Sequence, residues 1–155
     1  MKILFLDIDG VLNSTMFYNE RIRMKEYESL SFPCDNFDYR AISLLNDILD
    51  KTQAKLVISS DWRFDEDLES CLKYHGLKYD IYGKTPYDKH YRRGYEIQKY
   101  LLSVGNEVDN FCIIDDIDNW FLPYQMKYVV KTIFSDGLTK ELADKAIKIL
   151  NNEKE

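Results

Sequence analysis

Ile3-Leu4-Phe5-Leu6-Asp7-Ile8-Asp9-Gly10-Val11-Leu12-Asn13 is the stretch from which the fold is read. Four apolar residues in a row suit a strand buried on both faces, and the acids and glycine beyond them mark where the chain leaves the sheet and turns. Side chains two apart share a face of a strand, but past the strand end Asp7 and Asp9 are free to converge on one small volume. Two carboxylates crowded there repel each other unless a cation or a shared proton relieves them. A hard divalent ion such as Mg²⁺, held by oxygens, water and phosphate, is the relief their chemistry suggests. Taken alone, the same string also fits a solvated Asx-type turn closing a strand.

Outward from this stretch, apolar runs alternate with amphipathic ones. Lys2–Leu6 reads as a strand, Tyr39–Leu49 as a helix with Ile42, Leu45, Ile48 and Leu49 on one face, and Lys55–Ser59 as a second strand. Leu68–Tyr74 predicts a helix ending near Gly76, Tyr79–Tyr82 a short strand, and Tyr95–Leu102 a helix stopping before Gly105. Phe111–Ile114 predicts a strand running into Asp115-Asp116, Tyr128–Val130 another, and Thr139 the cap of a last helix reaching Leu150. Such alternation predicts an α/β fold, a three-layer Rossmann-like parallel sheet with helices on both faces. No internal repeat or low-complexity segment interrupts it, so residues 1–155 are expected to form a single domain.

Composition narrows the class. At 155 residues and 45% hydrophobic content the chain is long enough to bury a core of its own. The 21 Lys and Arg against 27 acids, a formal charge of −6, argue against a general coating of polyanions but leave room for local basic patches. Cys34, Cys71 and Cys112 are odd in number and lack paired metal-site spacing, so they read as reduced thiols of a cytoplasmic protein. The first apolar run is too short for a signal sequence or membrane span, and no membrane partner is expected.

Three of these strands end in polar chemistry: Asp7 and Asp9, then Ser59-Ser60-Asp61, then Asp115-Asp116-Ile117-Asp118. In an open parallel sheet the carboxyl ends of the strands lie along one edge, where ligands bind, so the three tips should meet.

Asp7-x-Asp9-Gly10-Val11, a hydroxyl after Lys55–Ile58, a later basic residue and Asp115-Asp116 after Phe111–Ile114 resemble the four ordered motifs of the haloacid dehalogenase-like (HAD) phosphohydrolases. Val57-Ile58-Ser59-Ser60-Asp61-Trp62-Arg63 and Arg93-Gly94-Tyr95-Glu96-Ile97 further resemble a small HAD group found in RNA-repair proteins. The resemblance implies a HAD-like fold and a phosphatase in which Asp7 attacks the phosphoryl group to form an aspartyl-phosphate. It implies that Asp9 protonates the leaving oxygen and then activates water. Mg²⁺ would be held by Asp7, the Asp9 backbone carbonyl and one of Asp115 and Asp116, with Asp116 favoured as the direct ligand and Asp115 orienting its neighbours. Ser59 would bind a non-bridging oxygen, with Ser60 and backbone N–H groups of the following turn adding donors and Gly10 and Arg63 as further substrate contacts. As a helix cap, the serine pair has a second use ahead of Asp65–Tyr74. For the basic residue the candidates are Lys84, Lys89, Arg92 and Arg93. Arg93 is preferred because it immediately precedes the helix Tyr95–Leu102, and Lys89 and Arg92 stand beside it as substrate contacts.

Residues 13–38 and 64–92 leave room for long loops or small helices only, so the fold should carry a minimal cap or none, with an open site. An open site suits a protruding phosphate on a polynucleotide end or a nucleotide. Bases and aromatics interleave along Tyr18–Tyr27 and Tyr87–Tyr95, where rings stack bases while Arg and Lys follow the backbone, or else simply pack over the domain. The alternative functions are a phosphotransferase or a non-catalytic phosphate-binding module on the same fold; the second is disfavoured because neither Asp7 nor Asp9 is missing. Neither His75 nor His90 suggests a histidine-centred reaction.

Overall fold

In the computed structural model, which describes residues 1–25, 37–89 and 92–153, β1 (Lys2–Leu6) lies at the centre of a five-stranded sheet. Its companions are β2 (Lys55–Ile58), β3 (Ile81–Lys84), β4 (Asn110–Asp115) and β5 (Val129–Lys131). The order is β3-β2-β1-β4-β5 and every pairing is parallel. Successive strands are laid down toward one edge from β1 to β3 and toward the other from β4 to β5, so β1 and β4 flank the switch point at which open α/β sheets leave a crevice. Register levels the tips: Leu6 pairs with Ile58 on one side and Ile114 on the other. Asp7, Ser59 and Asp115 therefore follow at one height.

The strand period sorts the core. Leu4, Leu6, Leu56, Ile58, Cys112 and Ile114 pack on the face covered by α2 (Tyr39–Thr52), α3 (Leu68–Tyr74) and α5 (Lys140–Leu150). Ile3, Phe5, Val57, Phe111 and Ile113 point the other way, against Ile97 and Tyr100 of α4 (Arg93–Val104). Helices thus cover both faces, and the continuous apolar strands are explained by burial on two sides. α2 starts where Asp38 accepts from the Arg40 backbone N–H at 2.9 Å, and α5 where Thr139 accepts from Leu142.

The ends of β2, β4 and β5 differ from expectation by one residue, and three elements move further. The second helix continues to Thr52, the third strand begins two residues later at Ile81, and the fourth helix starts at Arg93 and runs to Val104. An unanticipated helix, α1 (Thr15–Lys25), lacks an apolar stripe; its first turn is held by Ser14 Oγ, which accepts from Phe17 N, and by the Phe134 and Ser135 carbonyls. Ser60 opens a 3-10 turn over Asp61–Phe64 but makes no side-chain capping bond, contrary to the capping role. Cys71 is disulfide-bonded, which corrects the reading of three reduced thiols: bonding follows proximity in space, about which spacing along the chain is silent. Cys112 is a free, buried thiol; Cys34, Tyr27, His90 and Tyr91 lie outside the described residues. No helix among the described residues is long and apolar enough to cross a membrane.

Candidate active site

Asp7 directly follows β1, is 5% exposed, and is anchored by its own N–H donating to the Ile114 carbonyl at 2.9 Å. Gly10 turns the chain back with φ +72°, a conformation in which side chains are strained. A Cβ there would also stand 2.6 Å from the Phe134 ring and 3.0 Å from the Asp116 side chain. Glycine is thus what allows the first loop to close on the end of β4. Asn13 pins the loop: its Oδ1 accepts from Gly10 N at 3.0 Å and its Nδ2 donates to Asp9 Oδ1 at 2.8 Å.

Asp7, Asp115 and Asp116 offer carboxylate oxygens that all lie within 4.8 Å of one another. Burial pushes Asp115 up to about 7, with the Asp7 charge adding to it. Burial likewise raises Asp7, against the pull of Arg93, and raises Asp116, where the Asp7 charge contributes next. Three acids held together at a cost to their ionisation, with only hard oxygen donors, fit a Mg²⁺-sized cation in both charge and ligand type. Both oxygens of Asp115 are already engaged: Oδ1 accepts from Ile117 N at 2.9 Å and Oδ2 from Arg93 Nη1 at 3.3 Å. Asp116 is half-buried, the less enclosed of the pair.

Arg93 enters from the start of α4. Its Nη1 donates to Asp7 Oδ1 at 2.8 Å and to the Ser59 carbonyl, so one guanidinium spans the tips of β1, β2 and β4. α4 is set in place by Gly94, whose N–H donates to the Trp120 carbonyl at 3.0 Å and whose carbonyl accepts from Gln125 Nε2 at 2.9 Å. A Cβ at Gly94 would come within 2.8 Å of Leu122 N and 2.9 Å of Phe121 Cα. Ser59 is fully buried and its Oγ has no partner among the described residues, an orphaned hydroxyl beside the acids. Ser60 is equally buried, and its hydroxyl interacts with the Asp7 carboxylate.

Other expected contacts go elsewhere. Arg63 does not face the acids: it is buried, with Nη1 and Nη2 donating to Glu96 Oε2 and Oε1 at 3.0 and 2.8 Å. A bidentate pair is the geometry in which a buried guanidinium is best satisfied, and it ties the turn after β2 to α4. Arg92 is exposed and stacks over the Tyr95 ring at 5.6 Å, Lys89 is exposed, and Lys84 Nζ donates to the Arg63 carbonyl at 2.7 Å. Trp62 was missed as a site residue, yet its Nε1–H donates to Asp9 Oδ1 at 2.9 Å. Its place in the string that ends at Arg63 was the available signal.

A parallel sheet in this order, with an acid-tipped central strand, a hydroxyl turn, a basic helix start and an acid pair around one crevice, defines a HAD-like domain, the type of phosphatase-like proteins. The family model described as "HAD domain in Swiss Army Knife RNA repair proteins" matches residues 3–143, and the chain belongs to that family. No curated protein and no solved structure matches the chain.

Proposed function

We propose that the chain is a phosphoric monoester hydrolase that works through an aspartyl-phosphate on Asp7, with Mg²⁺ as cofactor. The observation that carries this reading is the convergence of Arg93 Nη1 on Asp7 Oδ1 at 2.8 Å and on Asp115 Oδ2 at 3.3 Å. A nucleophile, its counter-charge and a cation-ready acid cluster thereby share one crevice.

Asp7 attacks phosphorus, a bond forms from its carboxylate oxygen, and the bond from phosphorus to the ester oxygen breaks. Asp9 gives its proton to that departing oxygen. It then takes a proton from water, whose oxygen attacks phosphorus and releases inorganic phosphate and free Asp7. Arg93 neutralises charge on the phosphoryl oxygens, and the orphaned Ser59 hydroxyl and Ser60 supply further donors. Asp7, Asp116 and the Asp9 backbone carbonyl would hold Mg²⁺, with Asp115 fixing Arg93 and the loop at Ile117. When bound, the ion supplies positive charge to the non-bridging oxygens.

The preferred substrate is a phosphate on a nucleic-acid end or a nucleotide. Asp9 is exposed, and among the described residues the stretches 13–38 and 64–92 hold two short helices, α1 and α3, besides the sheet strand β3. The family's description also names RNA repair proteins. Purified protein should hydrolyse an aryl phosphate when Mg²⁺ is added, and Asp7→Asn should remove turnover while circular dichroism stays native. Turnover that survives Asp7→Asn would reject the covalent route.

A further inference from the structure

Asp9 borders a second space. A cavity of about 320 Å³ opens beside it, walled by Asn13, Tyr18, Trp62 and Phe134 among others. Among the described residues, none of Asp7, Arg93, Asp115 and Asp116 lines it, and no Lys or Arg does. A dianionic phosphoryl group has no reason to settle there, since among the described residues Asp9 is its one acid wall and no cation answers. A neutral flat body does.

Two of its three rings are presented to solvent. Tyr18 is 61% and Phe134 52% exposed, although large apolar surface is ordinarily withdrawn from water. Two of the three rings are braced by packing, and the third stands on an anchored turn. Trp62 packs edge-on against Phe37 with centroids 5.2 Å apart, and its indole N–H is committed to Asp9. Phe134 lies against Gly10, where any side chain would collide with it. Tyr18 N donates to the Ser14 carbonyl in the first turn of α1, and that turn is bonded to the Phe134 and Ser135 carbonyls. Rings already braced, as those of Trp62 and Phe134 are, lose little freedom when they stack on a ligand.

Resting on the hydrolase reading above, we infer that this cavity is the leaving-group subsite and takes a nucleobase, stacked among Trp62, Tyr18 and Phe134. The residue that protonates the departing oxygen lines the cavity, so the group carried by that oxygen emerges into it. Trp62 then has two tasks: its ring is a stacking platform, and its N–H holds Asp9. Both Trp62 and Asn13 donate to Oδ1 of Asp9, which directs the carboxylate by one oxygen and leaves the proton exchange to the other. An enzyme built this way selects its substrate by the ring beyond the ester oxygen.

Adenosine 5′-monophosphate and ribose 5-phosphate share one leaving oxygen and differ in the base. With Mg²⁺ present, the first should be cleaved with a kcat/KM at least about tenfold higher, the size expected for one stacked base. Phe134→Ala and Tyr18→Ala should each pull that ratio toward one, whereas Trp62→Phe, which keeps a ring and loses the N–H, should lower kcat on both substrates and retain most of the ratio. A ratio near one in the wild type, or one indifferent to losing the rings, overturns the inference while leaving the hydrolase standing. A binding measurement separates the two claims further. Adenosine alone should quench tryptophan fluorescence saturably, in the wild type and in Asp7→Asn, and the signal should vanish in Trp62→Phe, where Trp120 remains. Quenching without any turnover would reject the hydrolase, and with it the leaving-group role, and leave the cavity a nucleobase-binding site alone. Quenching that persists in Trp62→Phe, or none at millimolar adenosine, would reject the subsite.

Discussion

Arg93 is the residue on which the electrostatics of the site turn. Its guanidinium touches both Asp7 and Asp115, so its removal leaves two buried acids facing each other and, on the proposed mechanism, would deprive the phosphoryl group of a fixed donor. Arg93→Ala should lower kcat by about a hundredfold, the usual loss for one donor aimed at developing charge. Arg93→Lys should recover part of it, which steady-state kinetics would show. The acids themselves give a pH signature in the metal-free protein. Asp115 titrates near 7 rather than at the ordinary 3.8, because burial and the Asp7 charge oppose its ionisation. Between those values the native state keeps a proton that the unfolded chain has lost. The stability this confers is complete below the ordinary value and disappears as pH rises through the folded one. With chelator present, the Tm should therefore fall from about pH 5 to about pH 8, and less so in Asp115→Asn, which holds no ionisable proton there. Calorimetry across that range checks it; an equal slope in both proteins would place the titration elsewhere.

At the level of elements, α4 carries Arg93 and owes its position to two contacts. Gly94 meets the backbone at Phe121 and Leu122, so Gly94→Ala should displace the helix start and reduce kcat more than it reduces Tm, readable by kinetics beside thermal melts. The Arg63–Glu96 pair joins α4 to the hydroxyl turn, with side chains only 3% and 4% exposed. Removing one partner strands the other charge in the interior, and Glu96→Gln should cost about 3 kcal/mol in urea unfolding. A double replacement, Arg63→Met with Glu96→Leu, should recover much of that loss. These elements were unequally legible. β1, β2 and β4 announce themselves because strands buried on both faces are apolar throughout and their acids or hydroxyls stand at the tips. α1 has no stripe to read, and its start depends on carbonyls from the Phe134 loop. Arg63 invited a phosphate-binding reading because it follows the serines closely, yet its partner lies 33 residues on, and Trp62 meets Asp9 across 53 residues. Contacts of that span leave no period in the sequence.

Across the whole molecule, the sheet acts as a ruler. Leu6, Ile58 and Ile114 are in register, so three distant segments deliver their polar tips to one edge, and the parallel order places the crevice between β1 and β4. On the proposed function, an acid cluster assembled in this way would be relieved by the ion it fits. Mg²⁺ should raise the Tm in a concentration-dependent manner, since a ligand of the native state stabilises by mass action. Asp116→Asn should weaken that response, and a Tm indifferent to Mg²⁺ in the wild type would count against a metal centre. The direct test of the central claim is to quench turnover in acid and examine the peptides by mass spectrometry. The peptide containing Asp7 should carry one phosphoryl group, absent from Asp7→Asn. Phosphate released with no modification at Asp7, or a phosphoryl group on another side chain, would contradict the account.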